Sequence, residues 1–168
     1  MSLEISEIVE KLALTPHPEG GFYKETYRSK ETISQEELYP NFEGSRNYST
    51  GIYFLLTSDN FSAFHRIKQD EMWHFYMGSP LFVHVIYQDG TYKRYTLGTD
   101  FYNMQMPQLV VPAGCWFASS VKHNEAYSLV GCTVAPGFDF DDFELAERNK
   151  LISEFPEHKT VITELTRV

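Results

Sequence analysis

Apolar and polar residues alternate with a period of two over most of the chain, and the spacing of an amphipathic helix is confined to its two ends. Near the N-terminus Ile5, Ile8, Val9 and Leu12 follow the helical spacing, with Ser2 or Ser6 as cap and Pro16 as stop. A run of turn formers comes next, Thr15-Pro16-His17-Pro18-Glu19-Gly20-Gly21. Residues 22–29 alternate as a strand, with Phe22, Lys24, Thr26 and Arg28 on one side and Tyr23, Glu25 and Tyr27 on the other. Residues 30–48 are polar and irregular and read as a surface loop, a lid or a partner contact. Strands are predicted over 51–57, 62–67, 72–77, 80–87, 91–97, 108–111, 116–121 and 127–134. Turn formers join them, and Asp89-Gly90 is a strong hairpin signal. After Pro136-Gly137 the helical spacing returns. Asp141 and Glu144 form a capping box, and Phe143, Leu145, Leu151, Ile152 and Phe155 predict a helix stopped at Pro156. Val161, Ile162 and Leu165 predict a last short one.

Many short strands at near-regular spacing predict an all-β-dominated antiparallel sandwich or barrel. The length of 168 residues suits a single domain, 1–168, with a barrel core about 20–136 and C-terminal helices about 141–165. The 13 Phe and 11 Tyr reinforce this, because aromatic side chains suit a half-buried pleated surface. The net charge of -9 argues against a nucleic-acid partner, which requires a basic face. Glu4, Glu7 and Glu10 leave the first ten residues unlike a secretory leader. No apolar run approaches the roughly 18 residues of a membrane span. Cys115 and Cys132 have neither metal nor redox spacing and read as free thiols. A cytoplasmic protein without membrane contact is expected.

The candidate chemistry lies in residues 64–78. Period-two alternation puts Ala63, His65 and Ile67 on one strand face, and Glu71, Trp73 and Phe75 on one face of the next strand. Paired antiparallel, the two strands bring His65 and Glu71 to one end of one interior. An imidazole and a carboxylate there make a metal pair, an acid–base pair, or a hydrogen-bonded pair that only fixes packing. The acidic cluster Asp139, Asp141, Asp142 and Glu144 reads as helix-terminal charge rather than a calcium loop.

The same stretch resembles the first motif of the cupin superfamily, G-x5-H-x-H-x3,4-E-x6-G. His65 stands at the first His, Ile67 at the second, Glu71 at the Glu and Gly78 at the last Gly. A later stretch resembles the second motif, G-x5-P-x-G-x2-H-x3-N, where Pro112 and Gly114 match, Phe117 stands at the His and Val121 at the Asn. Over roughly residues 12–148 the chain resembles more closely a family of small single-domain cupins, the cupin five family. The resemblance rests on Pro16-His17-Pro18-Glu19-Gly20-Gly21-Phe22-Tyr23, Asp70-Glu71-Met72-Trp73-His74-Phe75-Tyr76 and Val130-Gly131-Cys132-Thr133-Val134-Ala135-Pro136-Gly137-Phe138. It implies a jelly-roll β-barrel and a homodimer, and it supplies no reaction.

Typical metal cupins use three His and one Glu, and of these only His65 and Glu71 are present. A third ligand would have to be His74, which alternation directs away from Glu71 unless a bulge intervenes. No tightly bound cofactor is therefore expected, and at most a weakly held divalent metal at His65, Glu71 and His74. The expected barrel interior has Trp73, Phe75, Phe117, Ser119, Tyr127 and Gln108 as ligand-binding residues, with Tyr23 and Glu25 at the mouth. Three readings stay open. One is an isomerase- or epimerase-like enzyme on a sugar-like or aromatic small molecule, with His65 as base, Glu71 orienting it, and Tyr53 or Tyr127 as acid. The second is a ligand-binding module using the same pocket. The third is a metal-dependent oxygenase or lyase.

Overall fold

The computed structural model describes residues 5–168. The chain runs through helix α1 (Ile5–Lys11), strands β1 (Thr15–Pro16), β2 (Phe22–Arg28), β3 (Thr32–Ile33), β4 (Arg46–Asn47) and β5 (Thr50–Thr57). Strands β6 (Phe61–Arg66), β7 (Asp70–Gly78), β8 (Leu81–Ile86), β9 (Tyr92–Leu97), β10 (Gln108–Val111), β11 (Trp116–Val121), β12 (Tyr127–Ala135) and β13 (Glu144–Leu145) follow, then helices α2 (Arg148–Glu154) and α3 (Lys159–Glu164). Two antiparallel sheets face each other, ordered β1-β2-β5-β12-β7-β10 and β13-β6-β11-β8-β9. The Asp89-Gly90 turn joins β8 and β9 as expected. Gly90 has φ +84° and the Asp89 carboxylate accepts from the Thr91 N–H at 2.9 Å.

Alternation divides the apolar residues among three layers. Phe54, Leu56, Trp73, Val130 and Val111 from the first sheet meet Val83, Val85, Leu97 and Phe117 from the second and form the barrel core. Phe64, Ile86, Trp116 and Ala118 point out of the second sheet and are covered by Leu151, Phe155, Ile162 and Leu165. Leu55 and Leu129 point out of the first sheet at one end and are covered by Ile8 and Leu14. Helices of six or seven residues do not persist alone in water. Here α2 and α3 are held by buried Leu and Ile side chains, each contributing roughly 1.5–3 kcal/mol.

Three local expectations are corrected. Helix α1 stops at Lys11 because Ala13 turns the chain with φ 51°, and Pro16 lies instead in the edge strand β1; an edge tolerates its missing N–H. Ser2, one of the two candidate caps, lies outside the described residues. No helix starts at Asp141. Asp139 caps a single 3-10 turn at Phe140–Asp142, Glu144–Leu145 pairs with β6, and the helix begins at Arg148. The cause is tertiary: Asp142 is buried and takes two hydrogen bonds of 2.7 Å from the Arg46 guanidinium and one of 2.7 Å from the Gln69 amide. Residues 30–48 are correspondingly not all surface loop, since they carry the β3–β4 ladder and the buried Arg46.

Removing one member of a buried ion pair strands the other, at a cost of about 3–5 kcal/mol. Asp142→Ala is expected to lower the melting temperature by roughly ten degrees, and replacing Arg46 and Asp142 together by apolar residues to recover a large part. Thermal melts of the three proteins check this.

Candidate functional site

Two backbone irregularities build the site. In β6, Phe117 pairs with His65 but Ser119 pairs with Ser62, so Ala63 is an extra residue in the ladder. The bulge puts Ser62 and His65 on the same inward face, where alternation had put Ala63. In β2, Glu25 pairs with Ile52 and Tyr27 with Gly51, so Thr26 is extra. That bulge turns Tyr27 outward and brings Arg28 round beside Tyr23 and Glu25 at the mouth.

A turn before β2 supplies the decisive group. Gly20 and Gly21 have φ of +116° and +75°, and a Cβ on Gly20 would collide with the Phe61 carbonyl. Only glycine lets this turn lie flat against β5 and β6, and lying there it projects Glu19 into the barrel. The Glu19 carboxylate meets His65 Nε2 at 2.9 Å and accepts from the Ser62 hydroxyl at 2.9 Å. His65 Nδ1 lies 2.7 Å from the Ala63 carbonyl, which can only accept, so Nδ1 carries a proton. Burial opposes charge on both partners. The attraction between them outweighs it, so the His65 pKa is raised and the Glu19 pKa lowered. The pair is an imidazolium–carboxylate, with His65 3 % and Glu19 5 % exposed.

His17 in the same turn is neutral. Burial lowers its pKa against the pull of Glu19, and its Nδ1 accepts the Glu19 N–H at 3.2 Å, which leaves Nε2 to carry the proton.

Glu71 is the other interior carboxyl, 8 % exposed. Among the described residues it takes no N–H or hydroxyl donor, and its polar neighbour is the Cys132 thiol. Burial raises its pKa to about 7, with His65 pulling the other way and Glu19 adding to the rise. The site therefore holds one carboxyl fixed as an anion and one that titrates near neutrality.

These groups open on a cavity of about 450 Å³. His17, Glu19, His65 and Glu71 lie in it with Tyr23, Ile52, Phe54, Ile67 and Val134. Glu25, Arg28 and the segment Phe138, Asp139, Phe140 and Phe143 close its outer side. Arg28 holds Glu25 through two hydrogen bonds of 2.9 and 2.8 Å and donates to the Phe138 carbonyl at 3.0 Å.

Of the residues expected at the site, His65, Glu71, Tyr23 and Glu25 line this cavity. Trp73 and Phe117 are packed in the barrel core, with the Phe117 ring 4.1 Å from that of His65. Ser119 is buried outside the cavity lining, and Phe75 packs against the core. Tyr53 and Tyr127 lie on the other face of the first sheet, against the α1 layer. Gln108 and His74 face outward together, the amide 3.1 Å from His74 Nδ1 and the Thr133 hydroxyl 3.0 Å from His74 Nε2. Glu19, Ser62 and the 138–143 segment were not among the expected residues. The signals for Glu19 were its place in the Pro16–Tyr23 stretch of the family resemblance and a carboxylate just before a glycine pair, which reads as a backbone requirement.

The donor set does not fit a metal ion. Both nitrogens of His65 are engaged, Ile67 and Phe117 stand at the other His positions, and His74 points away. Among the described residues no group of three His, Cys, Asp or Glu is arranged to hold one.

Over residues 6–146 the chain matches the family described as Cupin superfamily (DUF985). The uncharacterized protein YML079W of Saccharomyces cerevisiae is 35% identical over 147 residues, 82% of this chain and 73% of that protein. The crystal structure of protein SO0799 from Shewanella oneidensis superposes with a TM-score of 0.88 at 39% identity, over 99% of each chain. A hypothetical protein from Leishmania major gives 0.90 at 35% identity, over 99% of this chain and 100% of that one. Oxalate decarboxylase from Bacillus subtilis gives 0.54 at 13% identity, over 89% of this chain and 36% of that one, a likeness of fold alone.

A carboxyl whose pKa rises from 4.5 to about 7 on folding adds stability below 4.5 that is lost as the pH rises through 7. The full span is worth about 3 kcal/mol. Glu71→Gln lacks this dependence. Its melting temperature is expected to gain several degrees on the wild type between pH 5 and pH 8.5; an unchanging gap would mean that Glu71 is ionised throughout.

Proposed function

This chain belongs to the DUF985 family of the cupin superfamily, and we propose that it is a proton-transfer enzyme of isomerase type acting on a small carbonyl compound without a tightly bound metal. The observation that carries this is Glu71, a carboxyl in a largely apolar cavity whose pKa of about 7 suits a general base at neutral pH. Glu71 takes the proton from the carbon next to the carbonyl and returns it at a neighbouring carbon on the same face. The negative charge that develops on the carbonyl oxygen is met by neutral donors, the His17 Nε2–H and the Tyr23 hydroxyl, both at the cavity wall. His65 is not the base, because its two nitrogens are both committed as donors. It holds Glu19 in place and its charge tempers the pKa of Glu71. Tyr53 and Tyr127 are out of reach as acids.

A second reading, a ligand-binding module, is favoured by one observation. The His65 imidazolium is fully occupied by protein acceptors, as in a scaffold rather than a reagent. The free, buried thiols of Cys115 and Cys132 accord with a cytoplasmic setting.

Deuterium uptake from D2O separates the two readings. Across a panel of aromatic and sugar-like carbonyl compounds, the wild type is expected to catalyse exchange next to the carbonyl, with a rate that rises to a plateau with its midpoint near pH 7. EDTA should leave that rate unchanged, and Glu71→Gln should lower it by roughly a hundredfold or more. Compounds that bind without exchanging would establish the binding module instead.

We also propose a homodimer. The outer face of the first sheet exposes Met72 beside Val110, with Tyr27 further along the same row of strand pairs and Tyr76 on the same face of β7. Sedimentation should give twice the chain mass for the wild type and the single mass for Met72→Glu combined with Val110→Glu. A wild-type monomer would remove the proposal.

A further inference from the structure

The cavity mouth carries three phenyl rings set almost at right angles. Phe138 and Phe140 lie 5.0 Å apart at 82°, Phe140 and Phe143 5.9 Å apart at 70°, and Phe138 and Phe143 6.4 Å apart at 71°. Three rings steeply inclined to one another form the corner of a box, and all three line the cavity. Phe140 is 48 % exposed, so its ring is open to solvent at the mouth.

The charges around this corner do not balance. Among the described residues Arg28 is the Arg or Lys side chain that lines the mouth, and Glu25 neutralises it through the two-pronged pair. Asp139 stands beside them as a further carboxylate, so the mouth is left with one negative charge. Deeper in, His65 and Glu19 cancel, and Glu71 is either neutral or negative. The cavity therefore has no uncompensated positive charge to receive an anion.

Elsewhere the protein places its own cations over aromatic rings: Arg46 over Phe42, Arg66 over Trp116, Lys93 over Tyr87, Arg94 over Phe82 and Arg167 over Phe61. Among the described residues no Arg or Lys lies over Phe138, Phe140 or Phe143, and the His65 imidazolium lies against Phe143 alone, at 5.3 Å. Arg28, the nearest candidate, spends its N–H groups on Glu25, Asn47 and the Phe138 carbonyl. Phe143 turns one face to the charged His65 and Phe140 one face to the neutral His17, so Phe138 and the free face of Phe140 carry most of the attraction.

We propose that this aromatic corner, closed by the Asp139 carboxylate, binds an organic ammonium group, so that the ligand of the cavity carries a cationic nitrogen at the mouth end. Ring faces attract a cation through their quadrupole, and a bulky, weakly hydrated ammonium gives up little solvation on entering such a corner. The proposal rests on the same cavity as the proton-transfer reading and narrows its substrate to carbonyl compounds bearing an ammonium substituent. The carbonyl end lies inward at Glu71.

Three probes of one shape test it by titration calorimetry: choline, its uncharged isostere 3,3-dimethylbutan-1-ol, and 3,3-dimethylbutanoate. Choline is expected to bind at least tenfold more tightly than the alcohol, and the carboxylate not to bind. Phe140→Leu, at a half-exposed position that folding tolerates, should remove most of the preference for choline over the alcohol. Asp139→Asn should weaken choline severalfold and leave the alcohol unchanged. Glu71→Gln should still prefer choline although it has lost deuterium exchange. Equal binding of choline and the alcohol, tighter binding of the carboxylate, or no heat from any probe at millimolar concentration overturns the ammonium site. Deuterium exchange by the wild type would stand untouched by that result, and its absence alongside tight choline binding would instead remove the proton-transfer reading.

Discussion

The site depends on one buried ion pair, Glu19 with His65 at 2.9 Å. Two charges leave water here, and each alone would cost several kcal/mol. They persist because every strong hydrogen-bonding position is filled. Ser62 donates to one carboxylate oxygen, His65 to the other, and the Ala63 carbonyl takes the remaining imidazole proton. The backbone around Glu19 is fastened just as closely. Its carbonyl accepts from the Ala63 N–H at 2.9 Å and from Arg167 at 3.2 Å, so the turn before β2, the bulge of β6 and the end of the chain meet at this one residue. The glycine pair that follows is the local condition for all of it, since any side chain at position 20 would drive the turn off the sheet.

The pair also decides what the neighbouring carboxyl does. Glu71 sits on the opposite sheet, with Ile52, Ile67 and Val134 among the cavity residues around it. Had His65 been free to pair with it, Glu71 would have been an ordinary buried carboxylate with a lowered pKa. Glu19 claims the imidazolium first and adds a negative charge of its own, so burial prevails and Glu71 titrates near neutrality. The same engagement removes His65 as a metal ligand, because its lone pairs are replaced by N–H bonds on both sides. Against the cupin motif, the donor atoms that would grip an ion are used internally or replaced by Ile67 and Phe117.

Most of the fold was legible because the barrel strands obey period-two alternation and their joints carry ordinary turn chemistry. The inward direction of His65 and Glu71 followed from alternation alone, and so did the outward direction of His74. Alternation failed where a strand gains a residue. The extra Thr26 sent Tyr27 outward and Arg28 inward, and the extra Ala63 gave Ser62 to the site. Nothing in the local composition marks either bulge, since both are set by the partner strand. Glu19 was hidden for a different reason. It belongs to no strand, and a Pro-His-Pro-Glu-Gly-Gly segment reads as a tight turn, which it is. That the turn folds into the barrel and not over it depends on contacts with Phe61 and Arg167, far along the chain.

The segment 138–143 shows the same limit from the other side, and it explains why the cavity has the mouth it has. Its acidic residues and its apolar spacing both describe a helix start. A helix there would have pointed Asp142 at solvent and put Phe143 on the same side as Leu151. Instead the segment is pinned at both ends by arginines from distant strands, Arg28 on the Phe138 carbonyl and Arg46 on the Asp142 carboxylate. Between the two pins only three residues remain, too short a span to complete a helical turn and still satisfy both contacts. The chain takes a single 3-10 turn capped by Asp139, and the Phe140 and Phe143 side chains have no helix face to join. They go over the cavity. The aromatic mouth is thus a consequence of two long-range ion and dipole contacts winning over a local helical preference, and it is built on the same side of the barrel as Glu19, His65 and Glu71.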